Sequence, residues 1–418
     1  MSESKIAFYV GIDWGTTAHQ VCILDATSQP VAEFSAAHDA AAVRRLCTRL
    51  QALAESGAVA VGIESPASPV TEPLLEAGLT VFSLNPKQLD RFRDRYFPAG
   101  AKDDRRDAFV LATSLRTDPR CFRALTVEDP RLGELRALSR LNQTLKQDRL
   151  AYSNRLRDLL VSYFPELLTL CSAADEAWLW GLLEFAPSAP RAARLSLARL
   201  RSLLQRHHIR RFSPEDLYQQ LRQPALPLSA SSFQRGAHQI QALLPILRAL
   251  DVQQRDLLGQ IEALLEQLAG AENDADPGPG QHRDVNVLLS LPGVGITVAA
   301  AMLSEAHEAL ASRDYHALRA HAGVAPITRQ SGKSCSASIR RACNQALRNA
   351  VYHWSRVSVI HDPRSRAHYA RLRQKGHSHG RALRGVADRL LQLLCSMLRS
   401  QTCFDPSRRL PPPTPAPA

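Results

Sequence analysis

Hydrophobic positions fall into short runs at the start of the chain. IAFYVGID (Ile6–Asp13) and HQVCILD (His19–Asp25) are followed, after the turn-like SQP, by VAEFSAA (Val31–Ala37), a pattern of antiparallel strands joined by turns. Alanine and leucine then recur at helical spacing from about Ala40 to Glu55. A continuous apolar strand, AVAVGIE (Ala58–Glu64), comes next, then a helix near Thr71 to Ala77 and a strand TVFSLNP (Thr80–Pro86). A meander that gives way to β-α-β units predicts an α/β domain of ribonuclease-H-like type over residues 1–125.

Helical periodicity dominates afterwards, from Asp104 to Leu115, from about Pro130 to Leu160 and from about Ser232 to Leu268. The two long segments are candidates for pairing as a coiled coil within a helical region, residues 126–272, that also holds a leucine- and arginine-rich insert at about 173–227. NDADPGPGQ (Asn273–Gln281) supports neither helix nor strand and reads as a linker. A C-terminal domain of mainly short helices is expected over 283–403, and a disordered proline-rich tail over 404–418.

The chain has 418 residues, too many for one core, and 52 lysines and arginines against 40 acidic residues, a net charge of +12. That balance points to polyanionic partners such as nucleic acid, with a membrane surface as the rival. No apolar run approaches the roughly 20 residues of a spanning helix, so the expectation is a cytoplasmic protein that does not enter a membrane. Eight scattered cysteines without a C-x-x-C pair give no zinc pattern.

Four carboxylates stand where metal-dependent phosphodiester chemistry needs them. Asp13 ends the first strand, Glu64 ends AVAVGIE, and Asp104 and Asp107 are three apart on one face of a helix start. Hard oxygen ligands suit Mg²⁺ or Mn²⁺, and a pair of ions roughly 4 Å apart stabilises both the attacking and the leaving oxygen. Singly, each residue also reads as a turn cap, a helix-dipole residue or a surface acid. GIDWGTT resembles the first phosphate loop of actin-like ATPases as well, but the only other Asp-x-Gly, at Asp276, lies in the linker.

Three C-terminal features add to this. LPGVG (Leu291–Gly295) fits a helix-hairpin-helix turn whose backbone amides meet a DNA phosphate, or a plain helix turn. Ser331 lies in a Gln-Ser-Gly-Lys turn between Arg329 and Lys333, a setting for a nucleophile, although serine in such a turn is commonly structural. From Arg364 to Arg384 there are seven arginines or lysines, three histidines and no acid, a density suited to phosphates. The residues expected to touch nucleic acid are Gly293, Gly295, Arg329, Lys333, Arg340, Arg341, Arg348, Arg371, Arg373 and Lys375.

Taken in order, GIDWGTTAHQVCILD, GIES, LNPKQLDRFR, AKDDRRDAFVLA, LPGVG, LRAHAGVAP, RQSGK and NQALR resemble the insertion-sequence one-ten transposase family. The resemblance spans about Lys5–Leu115 and Leu288–Leu398. It implies a RuvC-like domain with a DEDD metal site of Asp13, Glu64, Asp104 and Asp107, a coiled-coil dimerisation segment, and a transposase domain whose catalytic serine is Ser331. It further implies recombination of DNA guided by a structured bridge RNA, through a 5′-phosphoserine, in a homodimer or homotetramer where metal site and serine meet between protomers. The alternative is a RuvC-like nuclease or junction resolvase that uses water. Two positions depart from the family: Lys-Thr-Asp reads Lys102-Asp103-Asp104, which offers Asp103 as a substitute ligand, and Gly-Asn reads Cys343-Asn344.

Overall fold

The structure, a computed structural model, describes residues 6–64, 68–97, 103–126, 129–270, 281–332 and 334–406. The chain divides into two compact units, Met1–Asp129 and Pro130–Ala418. Lys102, Lys333, most of the linker 273–281 and the tail from 407 onward lie outside the described residues.

In the first unit β1 (Phe8–Asp13), β2 (Ala18–Asp25) and β3 (Pro30–Ala37) form the antiparallel meander. Helix α1 (Ala40–Glu55) starts where the Asp39 carboxylate accepts from Ala42 N at 2.7 Å, an N-cap that satisfies an otherwise orphan amide. It leads to β4 (Val59–Ile63), parallel to β1. Helix α2 (Thr71–Glu76) precedes β5 (Thr80–Ser83), parallel to β4. Helices α3 (Pro86–Tyr96) and α4 (Asp104–Thr117) come before β6 (Arg123–Leu125), antiparallel to β5, and the sheet order is β3-β2-β1-β4-β5-β6.

Alternation along the strands separates two faces. Val10, Ile12, Val21, Ile23, Val61 and Ile63 pack with Leu46, Leu50 and Leu74 of α1 and α2. Tyr9 and Ala60 cluster with Leu111 and Leu115 of α4, and Cys22 and Leu24 with Ala108 and Ala112. Helix α3 and strand β6 were not expected from periodicity. PKQLDRFRDRY buries only Leu89, and three residues are too few to show a repeat.

In the second unit α5 (Pro130–Tyr163) is followed by an insert of four helices, α6 (Ala177–Phe185), α7 (Ala189–Ala192), α8 (Leu197–Arg206) and α9 (Pro214–Gln220), and then by α10 (Ala230–Gly270). The two long helices pair antiparallel. Leu132 and Leu135 cluster with Ile261, Leu264 and Leu268, whereas Leu156 and Leu160 cluster with Ile240, Leu244 and Leu247. The insert closes a core of its own on the second of these ends, around the fully buried Trp178 and Trp180. Burying each aromatic ring removes enough apolar surface to contribute on the order of 2 kcal/mol.

The rest of this unit holds α11 (Gln281–Ser290), α12 (Ile296–Glu305), α13 (His307–Ala311), α14 (Tyr315–His321), the hairpin β7 (Ile327–Ser331) and β8 (Ser334–Ser338), then α15 (Gln345–His361), α16 (Pro363–Gln374) and α17 (His379–Ser400). The region is mainly helical, but α15 and α17 are longer than the short helices expected there. Buried Val386, Leu390, Leu394 and Met397 recur at three- and four-residue spacing and hold α17 against the core. No helix among the described residues is long and apolar enough to cross a membrane.

Candidate active site

The ends of two neighbouring strands carry the first two carboxylates. β1 and β4 are in parallel register with Gly11 beside Gly62 and Ile12 beside Ile63, so Asp13 and Glu64 are the next residues along each strand. Since Ile12 and Ile63 point into the α1 side, alternation directs Asp13 and Glu64 to the face covered by α4. Asp13 is 9% exposed and Glu64 is half-buried.

Helix α4 approaches β1 unusually closely. A Cβ on Gly11 would collide with the Ala108 carbonyl and lie 2.6 Å from Ala112 N, so glycine is needed for this contact. The Asp104–Asp107 turn, immediately N-terminal to Ala108, is thereby brought alongside the last residues of β1. Asp104 is exposed and Asp107 is 2% exposed. Asp103 is the N-cap, its carboxylate accepting from Arg105 N at 3.3 Å. Threonine and aspartate both cap helices, so the Lys102-Asp103-Asp104 variation keeps a capping residue at the start of α4.

Asp107 has a partner that the sequence did not expose. Arg93 of α3 donates Nε to Oδ1 at 2.5 Å and Nη2 to Oδ2 at 2.7 Å, and gives Nη1 to Asp90 at 2.9 Å. The hydrogen bonds to Asp107 hold the Arg93 guanidinium above its usual pKa. The fork compensates a carboxylate that would otherwise be desolvated alone. Arg93 lies inside LNPKQLDRFR, and the signal for it is the Asn85 cap followed by Pro86, which starts a helix and fixes which residues share a face.

The described carboxylates do not close into one cage. Among the described residues, Cys171, Asp175 and Glu176 alone place three ligand atoms within 4.8 Å of one another. Glu176 there already accepts from Arg211 at 2.8 Å and from Trp178 Nε1 at 2.9 Å, which marks a structural network in the insert.

Ser331 lies in the second unit, at the end of β7, paired with Ser334 of β8. The turn starts at Gly332 with φ +54°, a left-handed conformation that glycine adopts without cost. Every described residue from Thr328 to Ser338 is exposed, Arg329 included. Below the ribbon, Asn344 caps α15, accepting from Leu347 N at 3.0 Å and donating to Glu305 at 2.6 Å. Glu305 also takes a fork from Arg140 of α5 at 2.6 and 2.9 Å.

The remaining expected contact residues divide into packed and open ones. In the LPGVG turn between α11 and α12, Gly293 (φ +82°) is seated on α15, where a Cβ would lie 2.9 Å from Ser358 N, and Pro292 O accepts from Trp354 and Ser358. Gly295 has nothing within 4 Å of a Cβ position. Arg348 packs over Gly323 and donates to the Arg340 carbonyl. Arg341 and Lys375 are exposed, while Arg371 meets His368 at 2.8 Å and Arg373 donates to His377 O at 2.7 Å.

Comparison with known proteins agrees with this layout. Residues 10–165 match the DEDD transposase model of the IS110 group, described as Transposase, and residues 285–370 match Transposase IS116/IS110/IS902 family. A Streptomyces coelicolor protein named as the mini-circle transposase for IS117 is 31% identical over 99% of both chains. The 43.6 kDa protein of insertion element IS110 from the same organism is 29% identical over 96% of each. A Sinorhizobium fredii protein named as transposase y4uE is 44% identical over 49% of this chain and 58% of its own length. The chain therefore belongs to the IS110 family of transposases, enzymes that cut and rejoin DNA.

Proposed function

We propose that the protein recombines the DNA of a mobile element with Ser331 as nucleophile and the Asp13, Glu64, Asp104 and Asp107 carboxylates as the metal site. The observation that carries the metal site is the pairing of Asp13 and Glu64 at adjacent parallel strand ends, with the Asp104–Asp107 turn pressed against one of them. The sheet order, with its meander followed by parallel strands, supports reading this unit as a ribonuclease-H-like domain of RuvC type.

The donor set fits a hard divalent cation, Mg²⁺ or Mn²⁺, because all four side chains offer carboxylate oxygens. Asp13, Glu64 and Asp104 would hold it, and Asp107 would join on release from Arg93. When bound, it would offset charge on the phosphate oxygens. Ser331 Oγ forms a bond to the scissile phosphorus as the bond to O3′ breaks; the serine proton is lost and the 3′ oxygen gains one. A 3′-hydroxyl of another strand then attacks the 5′-phosphoserine, which restores the serine hydroxyl and keeps the phosphodiester energy. Exposure of Ser331 at a ribbon tip leaves it accessible to a strand.

By family resemblance, a structured RNA selects the DNA, and a homodimer or homotetramer is the working form. Residues 1–125, 126–272 and 283–403 are read as its catalytic, helical and transposase parts. The test is a denaturing gel for a protein–DNA adduct with element-junction DNA, Mg²⁺ and RNA transcribed from the element's flank. Wild type forms the adduct, and Ser331→Ala and Glu64→Ala do not. Cleavage to free 5′-phosphate ends without an adduct, still lost in Glu64→Ala, would replace the serine with water.

A further inference from the structure

Most arginines of the C-terminal helices meet an oxygen. Arg313 forks onto Asp284 at 2.5 and 2.8 Å, and Arg319 onto Asp388 at 2.8 and 2.9 Å. No hydrogen bond or ion pair reaches Arg384 of α17 among the described residues, and unlike Arg356, Arg381 and Arg389, which also lack one but are exposed, it is half-buried. The charges around it are of its own sign, Arg348 from α15 and Arg381 one turn earlier on α17. Burial first, then these two neighbours, push its guanidinium below the usual arginine pKa.

The place of this cluster is well defined. Arg384 Nη1 is the nearest atom to a Cβ on Gly380, at 3.7 Å, so the guanidinium lies back along the first turn of α17. Arg348 donates to the carbonyl of Arg340, two residues beyond β8, which ties the cluster to the foot of the ribbon that carries Ser331. Arg340 Nε is itself buried without a hydrogen-bond partner.

A guanidinium has five donors, and holding its charge half-buried beside like charges is unfavourable unless an anion completes the group. Forked donors match a phosphate's oxygens. We propose that Arg384, with Arg381 and Arg348, binds one backbone phosphate of the DNA strand that approaches the Ser331 ribbon. DNA is favoured because the family acts on DNA and because the cluster stands at the foot of that ribbon, so the inference rests on the reading of the ribbon given above.

The test is binding of a labelled DNA duplex by the full-length protein across a salt series in phosphate-free buffer. Arg384→Gln should weaken binding about tenfold and reduce the slope of log affinity against log salt by about one, the signature of one lost phosphate contact. Its melting temperature should stay level or rise, since a repelling charge is gone. Arg384→Lys should regain most of the slope, which a purely structural arginine would not allow.

An unchanged affinity and slope in Arg384→Gln, with wild-type binding salt-dependent, would overturn the site and leave the transposase reading intact. So would a fall in melting temperature that Arg384→Lys shares, or a loss confined to a single-stranded RNA probe. Wild-type binding without salt dependence would instead remove the DNA-facing reading of the ribbon.

Discussion

Asp107 is 2% exposed, takes a fork from Arg93, and sits on a helix pressed against β1. Ser331 stands at the tip of a two-stranded ribbon whose described residues from Thr328 onward are all exposed. One candidate residue is thus fixed by the packing of a six-stranded sheet, the other by a single hairpin, an element only marginally stable on its own. The difference teaches where each can be altered. Changes in the carboxylate corner should disturb the fold, whereas changes in the ribbon should leave it intact.

The sharpest way to break this contrast is Asp107→Ala. Removing the carboxylate leaves the largely buried Arg93 with only the exposed Asp90, and the loss should be about 3 kcal/mol of unfolding free energy. Urea denaturation measures it, and the Arg93→Ala/Asp107→Ala pair should recover part of it. A loss under about 1 kcal/mol for Asp107→Ala would show that the fork adds little.

Next in size is Gly11→Ala, which sets a methyl against the backbone of α4 and should cost about 1–3 kcal/mol. Gly62→Ala is its control, because the new methyl meets the Leu115 and Phe122 side chains at 3.4 Å and those can give way. Equal melting temperatures for the two variants would deny that α4 is held to β1 at Gly11.

Which of these features the sequence revealed follows from the range of the interactions. Asp13 and Glu64 were legible because each closes an apolar run, and α1 was found over Ala40–Glu55 because its buried Leu46, Cys47 and Leu50 recur at helical spacing. The Arg93–Asp107 fork was not, since it joins two helices across 14 positions and nothing local specifies the contact. The strands TRQS and SCSAS carry no apolar alternation, so the ribbon appeared only as a turn at Ser331. A run of basic residues from Arg364 to Arg384 signals phosphate, but only the packing shows that Arg384 is half-buried while Arg381 beside it is exposed.

A smaller effect lies on the opposite face of the first sheet. His19 is fully buried on β2, its Nε2 is 3.1 Å from His38 Nδ1, and its own Nδ1 has no hydrogen-bond partner. Burial, then the His38 charge, lower its pKa from 6.5. The unfolded chain therefore binds a proton that the folded one resists. Stability is complete above 6.5, falls as pH drops through that value, and stops falling below the folded pKa. In urea midpoints against pH, His19→Phe should flatten this acid limb, and a limb of unchanged steepness would move its origin elsewhere.

The smallest expected change in stability belongs to Ser331→Ala. Its hydroxyl is exposed and makes no hydrogen bond among the described residues, and Gly332 supplies the turn, so the unfolding free energy should shift by no more than about 0.5 kcal/mol. That near-zero value matters because the same variant is expected to abolish the protein–DNA adduct. A clear destabilisation would mean that the ribbon is part of the fold and that lost activity says nothing about the nucleophile. A level midpoint with no adduct would place the whole effect on the hydroxyl and complete the contrast with Asp107, where structure and chemistry cannot be separated by one substitution.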